Sequence, residues 1–133
     1  MPDSEDNAVP AGYASNLFDL RGRTAVITGG GSGLGAAIAI GYAQVGVKVA
    51  LLDVNVEGMK ATQSSISSQG GVAESFECDV TSKSALEKTS ENILKKFSSV
   101  DILVNSAGAA FRSPAEDFPE DKLDFILNLN LKG

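Results

Sequence analysis

The hydrophobic pattern of this chain switches repeatedly between two periods. Short, nearly continuous apolar runs occur at "RTAVIT" (residues 23–28), "VKVALLD" (47–53) and "VDILVN" (100–105). Each predicts a strand, and the nearly continuous apolar run at 47–53 predicts a parallel strand buried on both faces. "VAESFECDV" (72–80) alternates instead, which predicts a strand nearer a sheet edge. Between the strands the spacing becomes helical. A small, apolar helix is expected over 33–44, closed by Gly46, and a second over 55–69, stopped by Gly70 and Gly71. A third is expected over 82–97, where Leu86, Ile93, Leu94 and Phe97 share a face and Ser84 with Glu87 suggests a capping box. Pro119 opens a last helix running toward Leu131. Residues 1 to about 15, with Pro2, Pro10 and Gly12, carry no period and read as a flexible tail, leaving 16–133 as one domain.

Strands that alternate with helices of this length require right-handed crossovers and a parallel sheet covered on both faces. The expected strand order is 3-2-1-4, with the direction of winding switching between strands 1 and 4. Ligands of such sheets bind at the carboxyl ends of the strands beside that switch. The glycine-rich loop "TGGGSGLG" (28–35) falls there.

Composition narrows the ligand. The chain is 43% hydrophobic and 21% charged, as in an ordinary globule, and its net charge of −6 argues against a nucleic-acid surface. No apolar stretch approaches the ~20 residues that span a bilayer, and the acidic start (Asp3, Glu5, Asp6) fits neither a signal nor a transit peptide. A cytoplasmic setting with no membrane partner is expected. One cysteine, Cys78, and no histidine leave no disulfide framework and little from which to build a zinc site, so no metal is expected. Cys78 itself reads as a buried core thiol.

Three readings of the loop compete. A P-loop needs Lys and Ser or Thr after its second glycine, but Ala36 and Ala37 follow Gly35. A dinucleotide loop needs glycines for a tight turn and close backbone approach, then a helix N-terminus facing the pyrophosphate. Two registers satisfy it: Gly31, Gly33 and Ala36, or Thr28, Gly29, Gly33 and Gly35. The third reading is tight packing of strand on helix with no ligand. Asp53 favours the dinucleotide, because a carboxylate ending strand 2 is placed to accept both hydroxyls of an adenosine ribose.

Thr28-Gly29-x-x-x-Gly33-x-Gly35, Asp53, Asp79-Val80-Thr81, Asn105-Ser106-Ala107-Gly108 and Asn130-Leu131-Lys132-Gly133 occur in this order. Together they resemble the ordered motifs of the short-chain dehydrogenase/reductases, from about Leu17 to the end, and the resemblance selects the second loop register. It implies a Rossmann-type, doubly wound α/β fold. It implies that Gly29, Gly33 and Gly35 shape the turn around the cofactor and that backbone near Ser32 and Leu34 approaches ribose and phosphates. By the same resemblance Asp79 bonds the adenine amino group, Val80 packs beside the ring, and Asn105, Ala107 and Gly108 belong to the cofactor site. Ser106 stands where the family carries a second Asn. Asn130 matches the asparagine that holds a water in the family's proton relay. Leu123, Ile126 and Leu127 precede it on one helical face, so its amide is expected on an apolar side, in need of a partner. Asn105 has a structural alternative, a buried amide tying strand 4 to its neighbours; Asp79 has another, an acid at a helix N-terminus.

NAD is expected over NADP. A 2′-phosphate needs a cation, yet Ser32 fills the position where NADP-using relatives often carry Arg or Lys, Val54 follows Asp53, and Asp53 repels a phosphate. The resemblance implies hydride transfer between NAD and a small-molecule alcohol or carbonyl, in a homo-oligomer. The stretch from Phe111 to Gly133 is similar to members acting on sugar acids. The family's catalytic Ser and Tyr-x-x-x-Lys are missing: Leu17 lies four residues after Tyr13, and Gly46 four after Tyr42. The chain is therefore expected to be the cofactor half of the enzyme, inactive by itself and with strand 4 at an uncovered edge. The alternative is a non-catalytic product that binds NAD or assembles with a longer relative.

Overall fold

The computed structural model describes residues 11–133. The tail expected over residues 1–15 lies outside the described residues up to residue 10. Within the remainder, Tyr13–Leu17 forms a one-turn helix, α1, entered through Gly12 at φ 83°. The Tyr13 and Leu17 spacing is helical, but five residues are too few to register as a period.

Four parallel strands, β1 (Thr24–Thr28), β2 (Lys48–Asp53), β3 (Ala73–Glu77) and β4 (Ile102–Asn105), form one sheet in the order β3-β2-β1-β4. This is the expected order. All five residues of β1 are buried, as a central strand between two neighbours requires, whereas the edge strands are half-buried. Helices α2 (Gly33–Gln44) and α3 (Val56–Ser68) cover one face: Ala39, Met59 and Ile66 pack on Ala25, Ile27, Val49 and Leu51. Helix α4 (Lys83–Phe97) covers the other through Ile93 and Phe97 against Val26, Ala50 and Leu52. Cys78 is a buried thiol of that second core.

The cap of α4 differs from the expected box. Ser82 is the N-cap, its Oγ accepting from Ala85 N–H at 3.3 Å, while Glu87 pairs with Lys83. The turn that closes with Ser82 N–H on Asp79 C=O delivers the chain to the helix at Ser82, two residues before Ser84. Helix α5 (Glu120–Leu127) starts after Pro119 as expected, but beyond it the chain widens into a π-turn at Asn128–Lys132, with Gly133 N–H on Asn128 C=O.

Register fixes where the site lies. Thr28 pairs with Leu52 on one side and Asn105 on the other. The chain therefore leaves β1, β2 and β4 at one end of the sheet, and Gly29, Asp53 and Ser106 emerge side by side.

Candidate functional site

Gly29 turns the chain out of β1 at φ 69°, a conformation L side chains seldom adopt. A Cβ there would also lie 2.8 Å from Ser106 O and 2.9 Å from Ala107 Cα. The loops after β1 and β4 therefore touch backbone to backbone. Gly35 does the same on the helix side, where a Cβ would overlap the Gly29 carbonyl. Ser32 is the extended N-cap of α2, and its side chain makes no capping bond. The first helical bond is Ala36 N–H to Ser32 C=O, which leaves the N–H groups of the first turn without helical acceptors.

Thr28 ties the two loops together. Its Oγ1 accepts from Ser106 N–H at 3.0 Å and Ala107 N–H at 3.1 Å, and donates toward Val104 C=O. Thr28→Val keeps the shape but strands two part-buried donors, with an expected cost of about 2 kcal/mol. Urea unfolding checks it: Thr28→Ser should recover most of the loss, and a valine variant as stable as wild type would remove the hydroxyl from this role.

Asp53 is pinned at both oxygens. Oδ2 accepts from Gly31 N–H and Oδ1 from Asn55 N–H, each at 2.9 Å. Asp79 lies across the cleft, exposed, with Oδ1 accepting from the Thr81 hydroxyl at 2.7 Å and the Thr81 N–H at 2.9 Å. These two bonds, the hydroxyl's first, hold its carboxyl below the usual carboxylate range. A depressed folded pKa means that the bonds stabilise the fold above the unfolded value and lose that effect as pH falls through the folded one. Thr81→Val should raise the Asp79 pKa toward normal in a carboxyl-carbon NMR titration; an unmoved midpoint would assign the shift elsewhere.

These groups border one cleft of about 650 Å3. Gly29, Ser32, Gly33 and Leu34 form its loop side, Asp53, Asp79 and Val80 the ends of β2 and the β3–α4 turn, and Ala107 and Gly108 the wall beyond β4. Gly35 sits behind the loop, buried. Asn105 and Asn130 border a neighbouring apolar cavity of about 660 Å3 between α4 and the sheet, which shares Leu52, Val80, Ala107 and Leu129 with the cleft.

Asn105 is exposed at the end of its edge strand, which goes against its structural alternative, the buried amide. Asn130 is also exposed, and its carboxamide pairs twice with Ala109, accepting from the N–H and donating to the C=O at 2.9 Å each. Leu123 and Leu127, which precede it, are exposed as well, so the face expected to bury Asn130 is uncovered among the described residues. Phe125, Asn128 and Leu129 complete the cleft and escaped the sequence reading. Their 3- and 4-residue spacing was the available signal.

A family pattern described as short chain dehydrogenase matches residues 23–133. The D-threitol dehydrogenase of Mycolicibacterium smegmatis is 39% identical over 116 residues, 87% of this chain and 45% of the relative. The 2-dehydro-3-deoxy-D-gluconate 5-dehydrogenase of Bacillus subtilis is 34% identical over 122 residues, 92% of this chain and 47% of the relative. An NAD+-bound xylitol dehydrogenase superposes with a TM-score of 0.82 at 33% identity, over 85% of this chain and 44% of that one. The chain spans about half the length of these relatives. With that match over residues 23–133 and the strand order β3-β2-β1-β4, the chain belongs to the short-chain dehydrogenase family.

Proposed function

We propose that this chain is the cofactor-binding portion of an oxidoreductase that moves a hydride between NAD and a hydroxylated alcohol or carbonyl, a polyol or sugar acid. The observation that carries the reading is the single cleft lined by the glycine loop, Asp53, Asp79, Val80, Ala107 and Gly108. The residues fit a dinucleotide. The uncapped start of α2, with Gly29, Ser32, Gly33 and Leu34 around it and Gly35 packed behind, receives the pyrophosphate. Asp53 takes the adenosine ribose hydroxyls, Asp79 offers Oδ2 to the adenine amino group, and Val80 packs beside the ring. Asn105, Ala107 and Gly108 line the path toward the reacting end, where Asn130 is held by Ala109.

Bound NAD supplies the hydride acceptor or donor; the chain's own part is to bind and orient it. Among the described residues no Lys or Arg lines the cleft, and two carboxylates do, which supports NAD over NADP. The relatives named for threitol and a deoxygluconate support the substrate class. Neither Tyr13 nor Tyr42 has a lysine four residues on, so these 133 residues are proposed to bind cofactor without turning over substrate by themselves. A reducing, cytoplasmic setting suits Cys78, the sequence's one thiol.

Calorimetric titration of the folded chain with NAD and NADP tests the reading. Saturable binding of NAD, tighter than NADP, is expected. Tighter NADP would overturn the cofactor choice, and binding of neither would overturn the function.

A further inference from the structure

We infer that Asn55 sets the selectivity of the cofactor cleft by fixing the carboxylate of Asp53, a role that rests on the NAD reading above. Asp53 ends β2 and Asn55 is the N-cap of α3, with only the exposed Val54 between them. The last torsion of an aspartate is broad, so a carboxylate held at one oxygen swings about it. Asp53 is held at both. The Gly31 bond comes from the loop it serves, and the second comes from Asn55 N–H.

The side chain of Asn55 aims that N–H. Its Oδ1 accepts from Gly58 N–H at 3.0 Å, and its C=O accepts from Met59 N–H at 3.0 Å. Residue 55 is thus locked to the first turn of α3 through side chain and main chain, and the helix, rather than the short turn after β2, sets the direction of its N–H. Each Asp53 oxygen keeps further acceptor capacity after these bonds. Two acceptors in a fixed plane suit a vicinal diol such as the ribose 2′- and 3′-hydroxyls. Repulsion of a 2′-phosphate depends on charge and distance, and much less on the plane of the carboxylate. Freeing the carboxylate therefore weakens NAD and leaves NADP nearly unchanged.

The test compares wild type, Asn55→Gly and Asn55→Ser by titration with NAD and NADP separately. Glycine is nearly as good an N-cap as asparagine, so the helix survives while the backbone of residue 55 is released; serine restores a side-chain cap. Asn55→Gly should bind NAD about fivefold more weakly, the effect of one lost hydrogen bond, with NADP within about twofold of wild type. Asn55→Ser should recover most of the NAD loss. Equal weakening of both cofactors, or no change in either, overturns the inference while leaving the NAD reading intact. A wild-type chain that binds no NAD overturns both. Amide exchange in the wild-type chain gives a measurement independent of any variant: Asn55 N–H should be protected like that of Gly31, and exchange at an open-loop rate overturns the pin.

Discussion

Gly29→Ala is expected to destabilise the fold by roughly 2–5 kcal/mol and to abolish NAD binding. Two costs add. The φ of 69° places an alanine in the left-handed region, and the new Cβ meets the Ser106 carbonyl oxygen and Ala107 Cα, both backbone atoms that no rotamer change can move aside. The loops after β1 and β4 must separate, and the two Thr28 bonds to Ser106 and Ala107 stretch with them. Urea unfolding with a parallel NAD titration decides it. A loss below about 1 kcal/mol with binding intact would show that the loops part easily.

Asp53→Ala comes second, with an expected 10- to 100-fold loss of NAD affinity and little change in secondary structure. The substitution removes the carboxylate proposed to accept the ribose hydroxyls and, with it, the anchor of Gly31. Asn55 N–H is exposed and takes a water in place of the carboxylate, whereas Gly31 is buried and its stranded N–H costs about 1–2 kcal/mol, a loss the fold survives. Circular dichroism establishes the fold, calorimetry the affinity, and NAD binding within twofold of wild type would place the ribose elsewhere. NADP should gain relative to NAD, since the same carboxylate repels the extra phosphate.

The sheet was legible because its cause is local. Continuous apolar runs such as "VKVALLD" have one comfortable environment, a strand buried on both faces, and glycines mark where each turn must fall. On the loop side of the cleft the strand end and the glycine cluster were legible for the same reason, but two glycine registers fitted them and only the resemblance selected Gly29, Gly33 and Gly35. What escaped depends on hydrogen bonds between distant segments. Neither the two-sided pinning of Asp53 nor the pairing of Asn130 with Ala109 leaves a periodic trace. The wall made by Phe125, Asn128 and Leu129 has helical spacing, but which face of the last helix meets the glycine loop is decided by tertiary packing. At α4, Ser82 and Ser84 are both acceptable caps by chemistry, and only the preceding turn at Asp79 decides between them.

The parallel pairing of β1 carries a consequence for the order of assembly. Its partner β2 begins about 24 residues along the chain, whereas Asp101, which bonds Thr24 at the start of β4, lies 77 residues away. Closing the longer loop costs about 1 kcal/mol more in chain entropy, and the shorter crossovers can form before that cost is met. In refolding kinetics the β1–β2–β3 unit, with the glycine loop and Asp53, should therefore form ahead of the docking of β4. Ser106, Ala107 and Gly108 arrive with that last strand, so the recovery of cofactor binding would time the final step of folding.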